Sequence, residues 1–98
     1  MISMFGLDRE MGYSKEEIFN QAPRTFKNHD FRIEDDTIIV ELGEGRVRIL
    51  VGPPMVREIT PNMRLRYVDV SIRFEQVDEE EQKKFMHLFD RSYQKGGG

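Results

Sequence analysis

The chain has no cysteine. That absence excludes disulfides, thiolate metal sites and a cysteine nucleophile, and it is compatible with a reducing cytoplasm. No apolar run approaches the roughly 20 residues needed to span a bilayer. The opening stretch MISMFGLDREMGY lacks a basic leader, a continuous apolar segment and a small-residue cleavage site, so it does not read as a signal peptide. A cytoplasmic protein without a membrane partner is expected. The sequence also lacks GxSxG, GxGxxG and the GxxxxGK phosphate loop, and it has neither an internal repeat nor a linker.

What remains is a single domain, 1–98, with 38% hydrophobic residues for one core and 34% charged residues of mixed sign for a solvated surface. Residues 1–12 read as an apolar N-terminal arm and 96–98 as a flexible glycine tail. Ser14 and Glu17 form a capping box, with Tyr13 and Ile18 at staple positions, opening a helix over 14–22 that Pro23 ends. FRIEDDTIIVEL then switches to period two. An Asp35-Asp36 turn sets Ile33 opposite Ile38 and Phe31 opposite Val40 on one face. Across the following GEG, a turn at Gly43-Glu44 or at Glu44-Gly45 keeps Val47, Ile49 and Val51 on the face of Ile38 and Val40. The second register would also set Glu41 against Arg48 and Ile39 against Leu50.

Strands are therefore expected over 30–34, 37–42 and 46–51. Gly52-Pro53-Pro54 interrupts the ladder, because proline has no N–H to donate. MVREI makes a short fourth strand, and a long fifth runs from 63 to 77. Its apolar residues are odd-numbered up to Tyr67 and even-numbered from Val68, which predicts a bulge or bend near Arg66–Val68. Asp78 caps a helix over 79–93 with Phe85, Leu88 and Phe89 in one apolar stripe. The expectation is an α+β domain of order α-β-β-β-β-β-α. It has a single antiparallel sheet of about five strands and the C-terminal helix packed on one face.

The arginines carry the first functional reading. Arg46, Arg48, Arg64 and Arg66 alternate with apolar residues in a chain of net charge -3. On a shared sheet face they could bind an anionic ligand, a nucleotide, RNA or an acidic partner. The competing reading is a solvated face with Glu41, Glu58, Asp69 and Glu75 as cross-strand partners. Aromatic residues are thinly interleaved and no RNP-type signature is present, so RNA ranks below a generic anion.

His29 lies in a predicted loop and His87 on the last helix, three residues before Asp90. Two distant histidines without cysteine have no zinc-site spacing, so neither a metal nor a cofactor is expected. The carboxylate runs EDD and DEEE serve a turn and a helix start, and Ser14 serves a cap. The chain therefore reads as non-enzymatic, with a histidine–carboxylate enzyme the remotest alternative.

YVDVSIRFEQVDEEEQKKFMHLF resembles the closing third of PilZ domains, which bind cyclic di-GMP. Asp69-Val70-Ser71 matches the start of one family motif. Phe74 stands where that motif has glycine, and no two arginines are spaced as the companion RxxxR motif requires. The chain is not assigned to that family.

Ile39 and Leu50 face away from the proposed core, and the N-terminal segment adds Phe5 and Leu7. A small domain with a second apolar surface must cover it with its own segments or with another copy. The sequence thus predicts a binding or assembly module that pairs with itself as a homodimer or with another protein. Phe5, Leu7, Ile39 and Leu50 are its interface residues, and anion binding through the arginine face is the alternative.

Overall fold

A computed structural model describes residues 5–93 of the chain; the predicted glycine tail lies outside them. The order is β1 (Phe5–Met11), α1 (Lys15–Thr25), β2 (Phe31–Glu34), β3 (Thr37–Leu42), β4 (Gly45–Val51), β5 (Met55–Thr60), β6 (Met63–Glu75) and α2 (Glu79–Ser92). All strands join one antiparallel sheet in the order β1-β6-β4-β3-β2, with β5 pairing the first part of β6. The class is α+β, as the pattern predicts, with one strand more than expected.

The extra strand is β1, which corrects the reading of an N-terminal arm over 5–11; residues 1–4 of that arm lie outside the described residues. Met11 is buried and Leu7 packs against the core cluster. These two share a face with Arg9 by strand alternation, and in register they stand opposite Val68 and Ile72 of β6. Arg9 breaks the apolar alternation, so the segment reads weakly as a strand. Its carboxylate partner Asp90, 3.1 Å away on α2, explains why a cation is tolerated there.

α1 begins as predicted, with both halves of the Ser14–Glu17 capping box present. It does not stop at Pro23 but runs to Thr25. Proline there forfeits one bond of the last turn. Ala22, Thr25 and Phe26 are all buried, and that packing holds the turn in helical form against local preference. α2 is capped by Asp78, whose side chain accepts from the Glu81 N–H at 2.8 Å.

The first hairpin has the expected pairs Ile33–Ile38 and Phe31–Val40. The second adopts the Gly43-Glu44 register, which sets Glu41 opposite Arg46 and Ile39 opposite Arg48. Gly43 takes φ +58°, the left-handed geometry that favours glycine.

β6 is unbroken, which corrects the predicted bend near Arg66–Val68. The irregularity sits on the partner side instead. From Val51–Val70 to Met55–Tyr67 the β4–β5 chain advances four residues while β6 advances three. Gly52-Pro53-Pro54 supplies the extra residue where no ladder donor is lost to proline. β6 therefore alternates strictly along its length. Val68, Val70, Ile72 and Phe74 are buried, while Met63 and Leu65 fall in the opposite phase and are exposed.

Both helices contribute to a single core on one face of the sheet. Phe85 lies at its centre, stacked on Phe26 at 5.6 Å, edge-on to Phe74 at 5.8 Å, and 6.3 Å from Phe89. The Tyr93 hydroxyl donates to the Ile18 carbonyl at 2.8 Å and ties the end of α2 to α1. Burial pushes the Tyr93 phenol up to about 12, with the nearby Thr25 hydroxyl opposing the shift, so it stays a neutral donor. Among the described residues no helix is long and apolar enough to cross a membrane.

Candidate functional site

The helix-free face of the sheet answers where the arginines go. Strand registers arrange it in rows. One row runs Arg32, Ile39, Arg48, Arg73 and Gly6 from β2 across to β1. The row beside it holds Glu41, Arg46 and Glu75, and the row on the other side runs Glu34, Thr37, Leu50, Ser71 and Asp8. Cations are thus flanked by anions. Arg48 bonds Glu75 at 2.9 Å, Arg46 approaches the same carboxylate at 3.9 Å, and Arg32 reaches Glu34 at 2.5 Å and Glu41 at 3.5 Å. The guanidinium of Arg73 extends over Gly6, 3.6 Å from where a Cβ would stand. Exposed pairs of this kind add little to stability, because water screens them. Their main effect is to neutralise the face rather than to stabilise the fold.

Ile39 is on this face, as its phase requires, but it is only 3% exposed. Its cross-strand neighbours are Arg32 and Arg48, whose aliphatic stems suit this covering role. Leu50, at 39%, remains open. Leu7 points to the other face and packs on the core. Phe5 pairs with Phe74 through its backbone, and its side chain lies outside what is described. Of the four residues expected to form an interface, the fold leaves Leu50 exposed, turns Leu7 to the core and covers Ile39 on the helix-free face.

The four candidate arginines also divide. Arg46 and Arg48 share the helix-free face. Arg64 and Arg66 are in phase with Val68 and Val70 on β6, so they project to the opposite side. The unbroken course of β6 separates them.

Arg64 and Arg66 belong to a feature the sequence did not single out. Among the described residues Met63–Tyr67 of β6 pair only with β5, since β1 pairs β6 from Val68 onward and β4 pairs it from Val70 onward. The β5–β6 ribbon projects from the body and gives a molecule 49 Å long but only 28 and 27 Å across. Met55, Val56, Ile59, Met63 and Leu65 on it are 40–58% exposed. Its root is held by Arg57, which bonds Glu10 of β1 at 2.9 Å and lies 4.8 Å from the centre of the Tyr67 ring. A groove of about 660 Å³ opens there, lined by Tyr13, Pro54, Val56, Leu65 and Tyr67 among others. The signal for the ribbon was the phase change at Tyr67–Val68. A break in alternation marks either a bend or a strand that leaves the core, and here it marks the second.

His29 and His87, read separately in sequence, line one pocket between α1 and α2. Among the described residues no three histidine, aspartate or glutamate side chains gather to hold a metal ion. No protein-family model, curated protein or solved structure gives a significant match to the chain.

Proposed function

We propose that the chain is a non-enzymatic assembly module that associates with a second copy of itself through the β5–β6 ribbon. The observation that carries this reading is the set of five large apolar side chains, at least 40% exposed, on a ribbon whose outer edges pair with no other strand among the described residues. A two-stranded ribbon is marginally stable alone, and an open apolar edge is a template for pairing. A second copy offers what the ribbon lacks. Its groove at the ribbon root is lined largely by apolar and aromatic side chains, with Glu17 and Arg66 beside them. A reciprocal contact of this kind closes as a two-fold dimer.

The absence of catalysis is part of the proposal. Asp78 and Glu17 are used as caps and Asp35-Asp36 as a turn, which accounts for these carboxylates without acid–base work. A cytoplasmic setting fits a chain without cysteine. Anion binding by Arg46 and Arg48 would have to displace Glu75 from both, and so ranks second.

Sedimentation velocity tests the association. Wild type at micromolar concentration should sediment as twice 11.6 kDa. Ile59→Lys with Met63→Lys should sediment as a monomer with unchanged circular dichroism, because both side chains lie outside the core. A wild-type monomer at high micromolar concentration would rule the proposal out.

A further inference from the structure

We infer that the pocket between the C-terminal end of α1 and the outer face of α2 binds the phosphate groups of a small phosphorylated molecule. Its lining brings together Arg24, Lys27 and His29 from the end of α1 and the loop after it, and Lys84, His87 and Arg91 from α2. Among the described residues no carboxylate lines it. That is four permanent cations and two imidazoles around a cavity of about 470 Å³, in a chain of net charge -3. Cavities of roughly 300–1,000 Å³ are the usual size for small-molecule sites.

A simpler account covers part of this. Cations near a helix C-terminus offset its dipole, which explains Arg24, Lys27 and Arg91 one by one. It does not explain Lys84 and His87, which lie further up α2 in the same stripe, or the approach of His29 from the loop. Nor does it explain the exclusion of acids. Asp90, next to Arg91, is held on another side by Arg9 at 3.1 Å, and Glu81 approaches Lys84 at 3.8 Å without lining the pocket. Among the described residues Arg24, Lys27 and Arg91 have no ion-pair partner, unlike Arg46 and Arg48 on the sheet.

The walls are fixed in place before any ligand arrives. The Gln21 side chain donates to the Ser92 carbonyl, and Tyr93 donates to that of Ile18, so the two helices are tied beside the pocket. Thr25, 6% exposed, also lies in the lining, with its hydroxyl beside that of Tyr93.

Guanidinium and ammonium groups that converge on one cavity suit several oxygens of a di- or triphosphate, with the arginines able to bind in bidentate fashion. A nucleic acid would instead need a cationic track continuing past the pocket. Arg46 and Arg48 do not extend one, being on another face and paired with Glu75.

The test is a titration with inorganic phosphate, pyrophosphate and tripolyphosphate at low salt, followed through the imidazole resonances of His29 and His87. Affinity should rise along that series, with both histidines shifting. Arg24→Gln with Arg91→Gln should lose at least about tenfold in affinity, the scale of one or more charge-assisted hydrogen bonds. Arg46→Gln with Arg48→Gln should leave it unchanged. Circular dichroism establishes that each variant is folded, and single changes replace any pair that is not. Three results would overturn the inference: no imidazole shift with tripolyphosphate at millimolar concentration, equal loss in the sheet variant, or tighter binding of single-stranded RNA than of tripolyphosphate.

Discussion

Phe85→Ala should cost about 3–5 kcal/mol, the range for truncating a buried phenylalanine in a packed core. Phe85 is 3% exposed and touches three aromatic rings, Phe26 of α1's end, Phe74 of β6 and Phe89 of α2. It is the side chain through which both helices meet the sheet. Few neighbours can collapse into the space, because Phe26 and Phe74 are themselves fully buried and fixed by their backbones. A domain this size holds only about 5–15 kcal/mol in total. Thermal denaturation should therefore show Tm falling by at least about 12 °C. A fall of only a degree or two would mean that α2 does not seal the core.

Gly45→Ala should be comparably damaging for a different reason. A Cβ at that position would lie 2.2 Å from the Gln76 carbonyl oxygen and 2.3 Å from that of Glu75. Both are backbone atoms, so no rotamer change relieves the contact. The end of β6 must move, and with it the turn at Gln76, which holds the left-handed φ of +55°. The cost should reach about 3 kcal/mol, the upper part of the usual range for overpacking. Gly12→Ala is the control, since nothing stands within 4 Å of its added carbon. It should change stability by no more than about 0.5 kcal/mol. Equal effects at the two glycines, measured by denaturant unfolding, would contradict the close approach of Gly45 to β6.

The parts of the fold legible in sequence are those fixed by neighbours in the chain. The capping box, the Asp35-Asp36 hairpin and the Asp78 cap depend on residues a few positions apart, and each forms as the spacing predicts. Pro23 shows the limit of that logic, because burial of Thr25 and Phe26 overrides the local preference to stop the helix. β1 was hidden for the same reason. Its pairing with β6 joins residues about sixty positions apart, and Arg9 masks the alternation that would have announced it.

The arginine question turned on a single strand. Sequence alternation correctly put Arg46 and Arg48 off the core, but a bend in β6 was needed to bring Arg64 and Arg66 beside them. Gly52-Pro53-Pro54 absorbed the irregularity instead, so those two arginines went to the ribbon. The basic pocket was beyond reach for another reason. His29 and His87 meet only because α1 and α2 pack side by side, and no local pattern encodes that.

Amide hydrogen exchange at two protein concentrations tests the proposed assembly most directly, because it reports both association and its location. If the ribbon packs against a second copy, amides of residues 55–67 should exchange several-fold more slowly in the concentrated sample. Those of β3 and β4, already enclosed within the sheet, should not change. Equal rates along the ribbon at both concentrations, or slowing confined to the helix-free face around Leu50, would contradict the account.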